Sequence, residues 1–167
     1  MELHKDDQVI HYAYGLGKIV RIEEKTVLDV VRTYYAVQIG DLMVWVPDDE
    51  SLIYRLRLPT PAGEFDELYN VLSGEGMALP DDRFERRELL DGLLREGSAA
   101  SLCRVIRSVT NYRQNHSLDS HDQMALNRSH ETLISEWMYV KSVSRSMVEK
   151  EIARLLEFNL PEKEAKK

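Results

Sequence analysis

The most constraining feature of the sequence is a change in the spacing of its apolar residues at Pro59 and Pro61. Before this point apolar side chains recur at every second residue, which is the period of a β-strand. The clearest such run is Leu42, Val44 and Val46. After Pro61 the spacing becomes three to four residues, which is the period of a helix that packs on a core. We therefore predict an α+β chain, with a β-rich module at residues 1–60 and a helical module at residues 61–167.

The β-rich module is predicted to contain four or five short antiparallel strands. The apolar and β-branched runs that indicate them are Gln8–Tyr12, Gly17–Glu24, Arg32–Ile39 and Leu42–Val46. Gly15 and Gly17 separate the first two runs, and Gly40-Asp41 joins the last two as a turn. Such a sheet most simply closes into a small Tudor-like or SH3-like barrel, because closure removes exposed strand edges.

The helical module is predicted to contain about five helices, because capping residues punctuate its apolar stripes. The expected signals are a stripe from Phe65 to Leu72, a cap at Asp81 or Asp82, a start at Ser98, an Asp119–Asp122 capping box, and a stripe from Val148 to Leu155. The helix after Ser98 is predicted to turn Leu102, Val105, Ile106 and Val109 inward. This orientation predicts that Arg104 and Arg107 lie on its outer side.

Charge and composition exclude several classes of protein. A net charge of −7 argues against a general nucleic-acid coat, although residues 97–118 contain no Asp or Glu and form a local basic stretch. That stretch is either an ordinary solvated helix surface or a partner site. No apolar run is long enough to span a bilayer, and the N-terminus lacks a signal-peptide core, so we expect a cytoplasmic protein with no membrane partner.

The residue types that carry catalysis do not form a recognisable site. Cys103 flanks an apolar helix stripe, where a buried hydrophobe is expected, and His116 and His121 lack further ligands at metal spacing. Gly15 and Gly17 lack the third glycine of a dinucleotide-binding motif and are expected to form a turn. We predict a non-enzymatic protein without a metal or cofactor. A hydrolase that uses scattered histidine and aspartate residues is the weakest alternative.

The two tryptophans are predicted to have different roles. Trp137 lies in the apolar stripe of the fourth helix and should belong to the core. Trp45 alternates with the inward residues of its strand, so it faces away from the core. It either anchors a protein partner or packs against the helical module.

Several short motifs follow one another in a specific order and spacing. They are Val9–Ile19, Ile22-Glu23, Tyr34-Tyr35, Met43–Pro47, Arg86 with Gly97-Ser98, Val105–Arg107, Leu118-Asp119 and Leu133–Glu136. In this order the chain, from about Gln8 to Leu155, resembles the CarD/CdnL family of bacterial transcription regulators. The N-terminal module of that family also occurs as the RNA-polymerase-interacting domain of transcription-repair coupling factors.

The resemblance implies a Tudor-like domain that docks on the β subunit of RNA polymerase, and a helical domain that contacts promoter DNA at the upstream edge of the melted bubble. Family contacts to polymerase come from the second strand and from the strand that ends in Val-Pro. These positions make Lys25, Val27 and Trp45 the candidate polymerase contacts. Trp45 stands where the family often has a basic residue, so an apolar anchor replaces a charge there.

The resemblance also implies a DNA wedge in the second helix, where the family has a Trp three residues before an Arg. Here that position holds Arg83, followed by Phe84, and Arg86 matches the Arg. The candidate DNA contacts are Arg83, Phe84, Arg86, Arg87, Arg104 and Arg107. We therefore expect a monomeric, polymerase-binding transcription regulator that modulates initiation. The alternative is a protein–protein adaptor that uses the same barrel for another partner and does not bind DNA.

Overall fold

The computed structural model describes residues 1–165, and its chain separates into two compact units. The first unit is Met1–Pro59, and the second begins at Thr60. The first is built from strands and the second from helices, which confirms the predicted α+β class.

The N-terminal unit is a five-stranded antiparallel sheet with the strand order β4-β3-β2-β1-β5. Its elements are β1 (Gln8–His11), β2 (Gly15–Val27), β3 (Val30–Ile39), β4 (Leu42–Pro47), a 3₁₀ turn (Leu52–Tyr54) and β5 (Leu56–Arg57). The core forms on one side of the sheet, where alternate side chains of the strands are buried. Its members include Val9, Ile19, Tyr35, Val37, Val46 and Leu56.

The sheet does not close into a barrel, so this part of the prediction is wrong, although the fold remains compatible with a Tudor-like domain. The outermost strands, β4 and β5, pair only with β3 and β1 respectively. β5 has only two residues, and both already pair with Ile10 and His11 of β1. The outer edge of β4 therefore remains an open sheet edge.

The hairpin between β2 and β3 is longer than the sequence predicts. The pairing continues without interruption from Arg21↔Ala36 to Val27↔Val30. Leu28 and Asp29 form the two-residue turn with φ values of 51° and 60°. A turn with two left-handed residues usually contains glycine, which is why the sequence did not indicate it.

The turn between β1 and β2 is made by Tyr12, Ala13 and Tyr14, and the two glycines predicted to form it are instead the first and third residues of β2. Gly15 has a φ of 83°, and it pairs with His11 across the hairpin. A Cβ atom on Gly17 would lie 2.6 Å from Ile39 Cγ1 and 2.8 Å from Val37 Cγ1. Gly17 is thus required by the close approach of β3 side chains rather than by a ligand.

In the helical unit, three of the helices begin directly after the capping residues that the sequence indicates. The helices are α1 (Ala62–Phe65), α2 (Glu67–Ser73), α3 (Arg83–Glu96), α4 (Ala99–Arg113), α5 (Ser120–Lys141) and α6 (Arg145–Glu157). The first predicted helix is divided into α1 and α2. Asp82, Ser98 and Asp119 cap α3, α4 and α5 with their side chains, and Asp119 with Asp122 completes the predicted capping box.

Helix α4 is the centre of this unit and packs against α2, α3 and α5. It buries residues on almost every side, including Ser101, Cys103, Ser108 and Thr110 as well as its apolar stripe. Trp137 of α5 is also buried, with Phe65 edge-on at 5.3 Å between ring centroids. The predicted core role of Trp137 is therefore confirmed.

Candidate functional site

A tryptophan covered by two cations lies on the side of the sheet opposite the core. Trp45 of β4 is directly opposite Ala36 of β3, and Ala36 is opposite Arg21 of β2. The Lys25 Nζ lies 3.3 Å from the Trp45 ring centroid, and the Arg21 Cζ lies 5.3 Å from it. We call Arg21, Lys25 and Trp45 the Trp45 face. It presents positive charge supported on an aromatic ring.

The Trp45 face continues into an apolar hairpin tip. Val27 and Val30 are the last paired residues of the hairpin, and both are exposed. Leu28 at the turn is 92% exposed. An apolar residue rarely adopts the left-handed region, and Leu28 gains no burial that would offset this backbone strain. Val27, one of the predicted polymerase contacts, is thus part of an exposed apolar surface.

The start of α3 presents an aromatic side chain to solvent. Phe84 is 70% exposed, and the Arg83 Cζ lies 5.1 Å from its ring centroid. Arg87, one turn further on, is also exposed and has Nε 3.8 Å from Asp91 Oδ2. The Asp82 side chain accepts hydrogen bonds from the backbone N–H groups of Phe84 and Glu85, which fixes this first turn.

Arg86 does not belong to this exposed group, because its side chain is buried. Its Nε donates to Asp122 Oδ1 at 2.9 Å, and its Nη2 lies 3.3 Å from Asp119 Oδ2. Its Nη1 donates to the carbonyl oxygens of Pro80 and Asp81 and to the Tyr112 hydroxyl. The hydrogen bond with Asp122 is the main reason that the pKa of Arg86 is raised. The guanidinium therefore joins α3 to the α5 capping box and is not available to DNA.

The prediction that the Arg107 side chain lies on the outer, exposed side of α4 is wrong. Its side chain has no exposed area, and burial lowers its pKa. Nη1 donates to the carbonyl oxygens of Leu72 and Leu156, and Nη2 donates to Asn111 Oδ1 at 2.6 Å. The side chain turns inward because it satisfies carbonyls near the ends of α2 and α6, which would otherwise lack helical partners.

Arg104 is exposed, but it lies on a different part of the helical unit from Phe84. It lines an open cleft of about 570 Å³ with residues of α1, α2 and the start of α4. Arg86 contacts Tyr112, which lies near the other end of α4. Eight residues of helix separate Arg104 from Tyr112, or roughly 12 Å. The six predicted DNA contacts thus do not form one cluster.

Cys103, His116 and His121, the side chains considered above for catalysis or metal binding, are buried or have partners in the structure. Cys103 is buried, and burial raises its thiol pKa well above the ordinary value, which makes it unreactive. His116 stacks on Tyr112 and lies 3.2 Å from Asp81, while His121 pairs with Asp91. Within the described part of the chain, His, Cys, Asp and Glu side chains form no group suited to a metal. None of its helices is both long and apolar enough to cross a bilayer.

Comparison with known proteins finds a family model that matches the part of the chain that carries the Trp45 face. Residues 3–51 match the family model of the CarD-like/TRCF RID domain. A relative named "Putative transcription factor YdeB", from Bacillus subtilis (strain 168), is 22% identical over 145 residues, which cover 85% of this chain and 94% of the relative. The CarD-like resemblance inferred from the sequence is therefore confirmed.

The residues that match the CarD-like/TRCF RID family model include Lys25, Val27 and Trp45, whereas the start of α3 lies outside them. The structure brings Lys25 and Trp45 into direct contact, although they lie on strands that are separated by β3. Their role in polymerase binding stays a prediction.

Two features of the candidate sites were missed from the sequence. Arg21 shares the Trp45 face, and a period of two counted back from Lys25 along β2 would have indicated it. Burial of Arg86 was also missed. It precedes the buried Leu90 and Leu94 by four and eight residues, which is the spacing of one helix stripe.

Proposed function

We propose that this chain is a bacterial transcription regulator that binds the β subunit of RNA polymerase through its Trp45 face and modulates initiation. The observation that supports this most directly is the Lys25 ammonium over the Trp45 ring, within a CarD-like/TRCF RID domain. A half-buried cation on an aromatic ring suits a partner surface that is both acidic and apolar. The exposed Val27 and Leu28 add apolar area next to it.

Binding to a purified β-subunit lobe of RNA polymerase tests this proposal. We expect saturable binding at micromolar concentration, weakened at least about tenfold by Trp45→Ala, since a buried aromatic anchor commonly contributes this much. Lys25→Glu should weaken binding further because it reverses the charge at the interface.

The matched control is Lys5→Glu, which makes the same charge change at another exposed lysine of this unit. It should bind as the unchanged protein does. Absence of binding at micromolar concentration, or equal loss in Lys5→Glu and Lys25→Glu, would contradict the proposed docking surface.

We further propose that the start of α3 contacts DNA at the upstream edge of the melted promoter. An exposed phenylalanine offers a ring on which an unpaired base can stack, and Arg83 beside it can reach a phosphate. Arg87 is the second exposed cation on this turn. Arg86 would act indirectly, by fixing the position of this turn through Asp119 and Asp122.

Fork-junction DNA, with one duplex arm and one melted arm, tests this contact in the presence of polymerase. Phe84→Ala should weaken the complex several-fold, since stacking on one base contributes about 1–3 kcal/mol. Phe158→Ala is the matched control, because Phe158 is the other strongly exposed phenylalanine of the described helical unit. Equal effects of the two substitutions would contradict a specific role for Phe84.

A protein–protein adaptor without DNA contact is the second candidate function. Its support is that two of the six candidate DNA contacts are buried, and that Asp81, Asp82, Glu85 and Glu88 are exposed around Phe84. Acidic groups repel a phosphate backbone. Polymerase capture without any salt-dependent binding of fork DNA would favour the adaptor.

A further inference from the structure

A cleft of about 310 Å³ lies among α4, α5 and α6, and none of the residues proposed to contact polymerase or DNA lines it. One part of its lining is apolar and is formed by Ile134, Ile152, Ala153 and Leu156. The other part is polar and contains Thr110, Arg113 and His130, with an ion-pair network at Arg145. The volume is at the lower end of the range for small-molecule sites.

The polar part contains a hydroxyl that lacks a partner. Thr110 is 94% buried, and its Oγ1 makes no hydrogen bond within residues 1–165. A buried hydroxyl without a partner destabilises a fold, because it loses its hydrogen bonds to water. Because Thr110 lines the cleft, a rotation of its side chain would bring this hydroxyl to a ligand, which would supply the missing hydrogen bond.

One of the two arginines that line the cleft is not bound to a carboxylate. Arg145 binds Glu131 through two hydrogen bonds of 3.0 and 2.5 Å, and it binds Glu149 through one of 2.7 Å. These two carboxylates are therefore already engaged. The Arg113 guanidinium has neither a hydrogen bond nor an ion pair in the described part of the chain. It remains available to an anion.

His130 is the third polar group, and its ring also lacks a hydrogen-bond partner among residues 1–165. Burial, followed by the positive charge of Arg113, keeps the pKa of His130 below its ordinary value, while Glu131 and Glu149 act in the opposite direction. The imidazole is thus neutral at pH 7 and can donate one hydrogen bond. A bound anion would accept this hydrogen bond and favour the charged ring.

We propose that this cleft binds a small organic monocarboxylate, with its carboxylate on Arg113, His130 and Thr110 and its apolar body on Ile134, Ile152 and Leu156. The guanidinium supplies the charge complement, and the two neutral groups supply directed hydrogen bonds. The apolar lining selects against inorganic anions, which have no body to bury. The inference does not depend on the proposed function.

The experiment is an NMR titration of the full chain with benzoate, and with benzamide and benzylamine as neutral and cationic analogues of the same shape. Benzoate should produce saturable shifts at millimolar concentration in the His130 ring and in the Ile134 and Ile152 methyl groups. The pKa of His130 should rise as benzoate binds. Benzamide and benzylamine should bind at least about tenfold more weakly, since they lack the charge-assisted hydrogen bond.

Two variants test the polar contacts. Arg113→Gln should weaken benzoate binding at least about tenfold, and Thr110→Val, which keeps the side-chain shape, should weaken it several-fold. Arg104→Gln is the matched control, because Arg104 is an exposed arginine on the same helix but lines a different cleft. Unsaturable shifts, equal binding of benzoate and benzamide, or equal loss in the two arginine variants would overturn the proposal.

Discussion

An aromatic ring beside basic side chains occurs in both units, but the two rings are held by different means. Trp45 is positioned by backbone pairing of three consecutive strands, and Lys25 covers it. Phe84 stands on a helix whose first turn is held by the buried Arg86, through carboxylates more than thirty residues away in sequence. The position of the Trp45 ring should therefore tolerate the loss of single neighbouring side chains, whereas the position of the Phe84 ring depends on the Arg86 guanidinium.

The largest expected effect is the loss of the Arg86 network. Arg86→Ala leaves Asp122 buried without its cation and should lower the free energy of unfolding by about 3–5 kcal/mol. Arg87→Ala, which removes an exposed arginine one residue away, should change it by less than about 0.5 kcal/mol. Urea denaturation measures both. If the two variants lowered the free energy of unfolding by similar amounts, the start of α3 would not depend on the buried Arg86.

In the N-terminal unit, the stability should be most sensitive to substitution at Gly17, where β2 passes close to β3. Gly17→Ala should lower the free energy of unfolding by about 1–3 kcal/mol, because its new Cβ overlaps Ile39 and Val37. Gly92→Ala in α3, where nothing lies within 4 Å, should raise it by about 0.5–1 kcal/mol. Thermal unfolding of both variants checks the opposite signs, and a stabilising Gly17→Ala would show that the strands can separate at no cost.

The Lys25–Trp45 contact should contribute little to stability. A double-mutant cycle with Lys25→Gln and Trp45→Leu should give a coupling free energy of about 0.5–1 kcal/mol, the range for a partly exposed cation–π pair. Loss of polymerase binding in these variants would then reflect the interface itself. A coupling several times larger would mean that the Trp45 face also supports the fold.

The smallest expected effect is a change in how the stability depends on pH in the acid range. Hydrogen bonding by the Asp122 backbone, and then the charge of Arg86, keep the pKa of Asp119 below its ordinary value. Its contribution to stability is therefore present above an ordinary aspartate pKa of about 4, and is lost as the pH falls below that value. Asp119→Asn keeps a good helix cap and should flatten the loss of stability between about pH 5 and 3.

The control for this measurement is Asp41→Asn in the turn between β3 and β4, where the carboxylate has no ion pair in the described structure. Its unfolding curve should keep the steeper acid dependence of the unchanged protein. If both variants lose stability with acid equally, the charge of Asp119 does not hold the start of α3.

The elements could be predicted from the sequence because their signals are local. Period-two alternation located the strands, and Asp82, Ser98 and Asp119 located three helix starts. The extension of β2 and β3 to Val27 and Val30 was missed, because the turn uses Leu28 and Asp29 rather than glycine.

The arginines were harder to predict because their partners are distant in sequence. Nothing near Arg107 indicates that the carbonyls of Leu72 and Leu156 lie beside it. One signal was available: a helix with Ser101, Cys103, Ser108 and Thr110 around its circumference is buried on most sides, so an arginine in it has few routes to solvent.

Arg107 also constrains how this unit can vary. One guanidinium serves carbonyl oxygens near the ends of two helices, and the Gly76 backbone leaves no room for a Cβ atom beside its side chain. A change in the length of α2 or α6 would withdraw an acceptor from a charge that cannot reach water. Substitutions at Arg107, insertions near Gly76 and truncations of α6 are therefore expected to be tolerated only in combination.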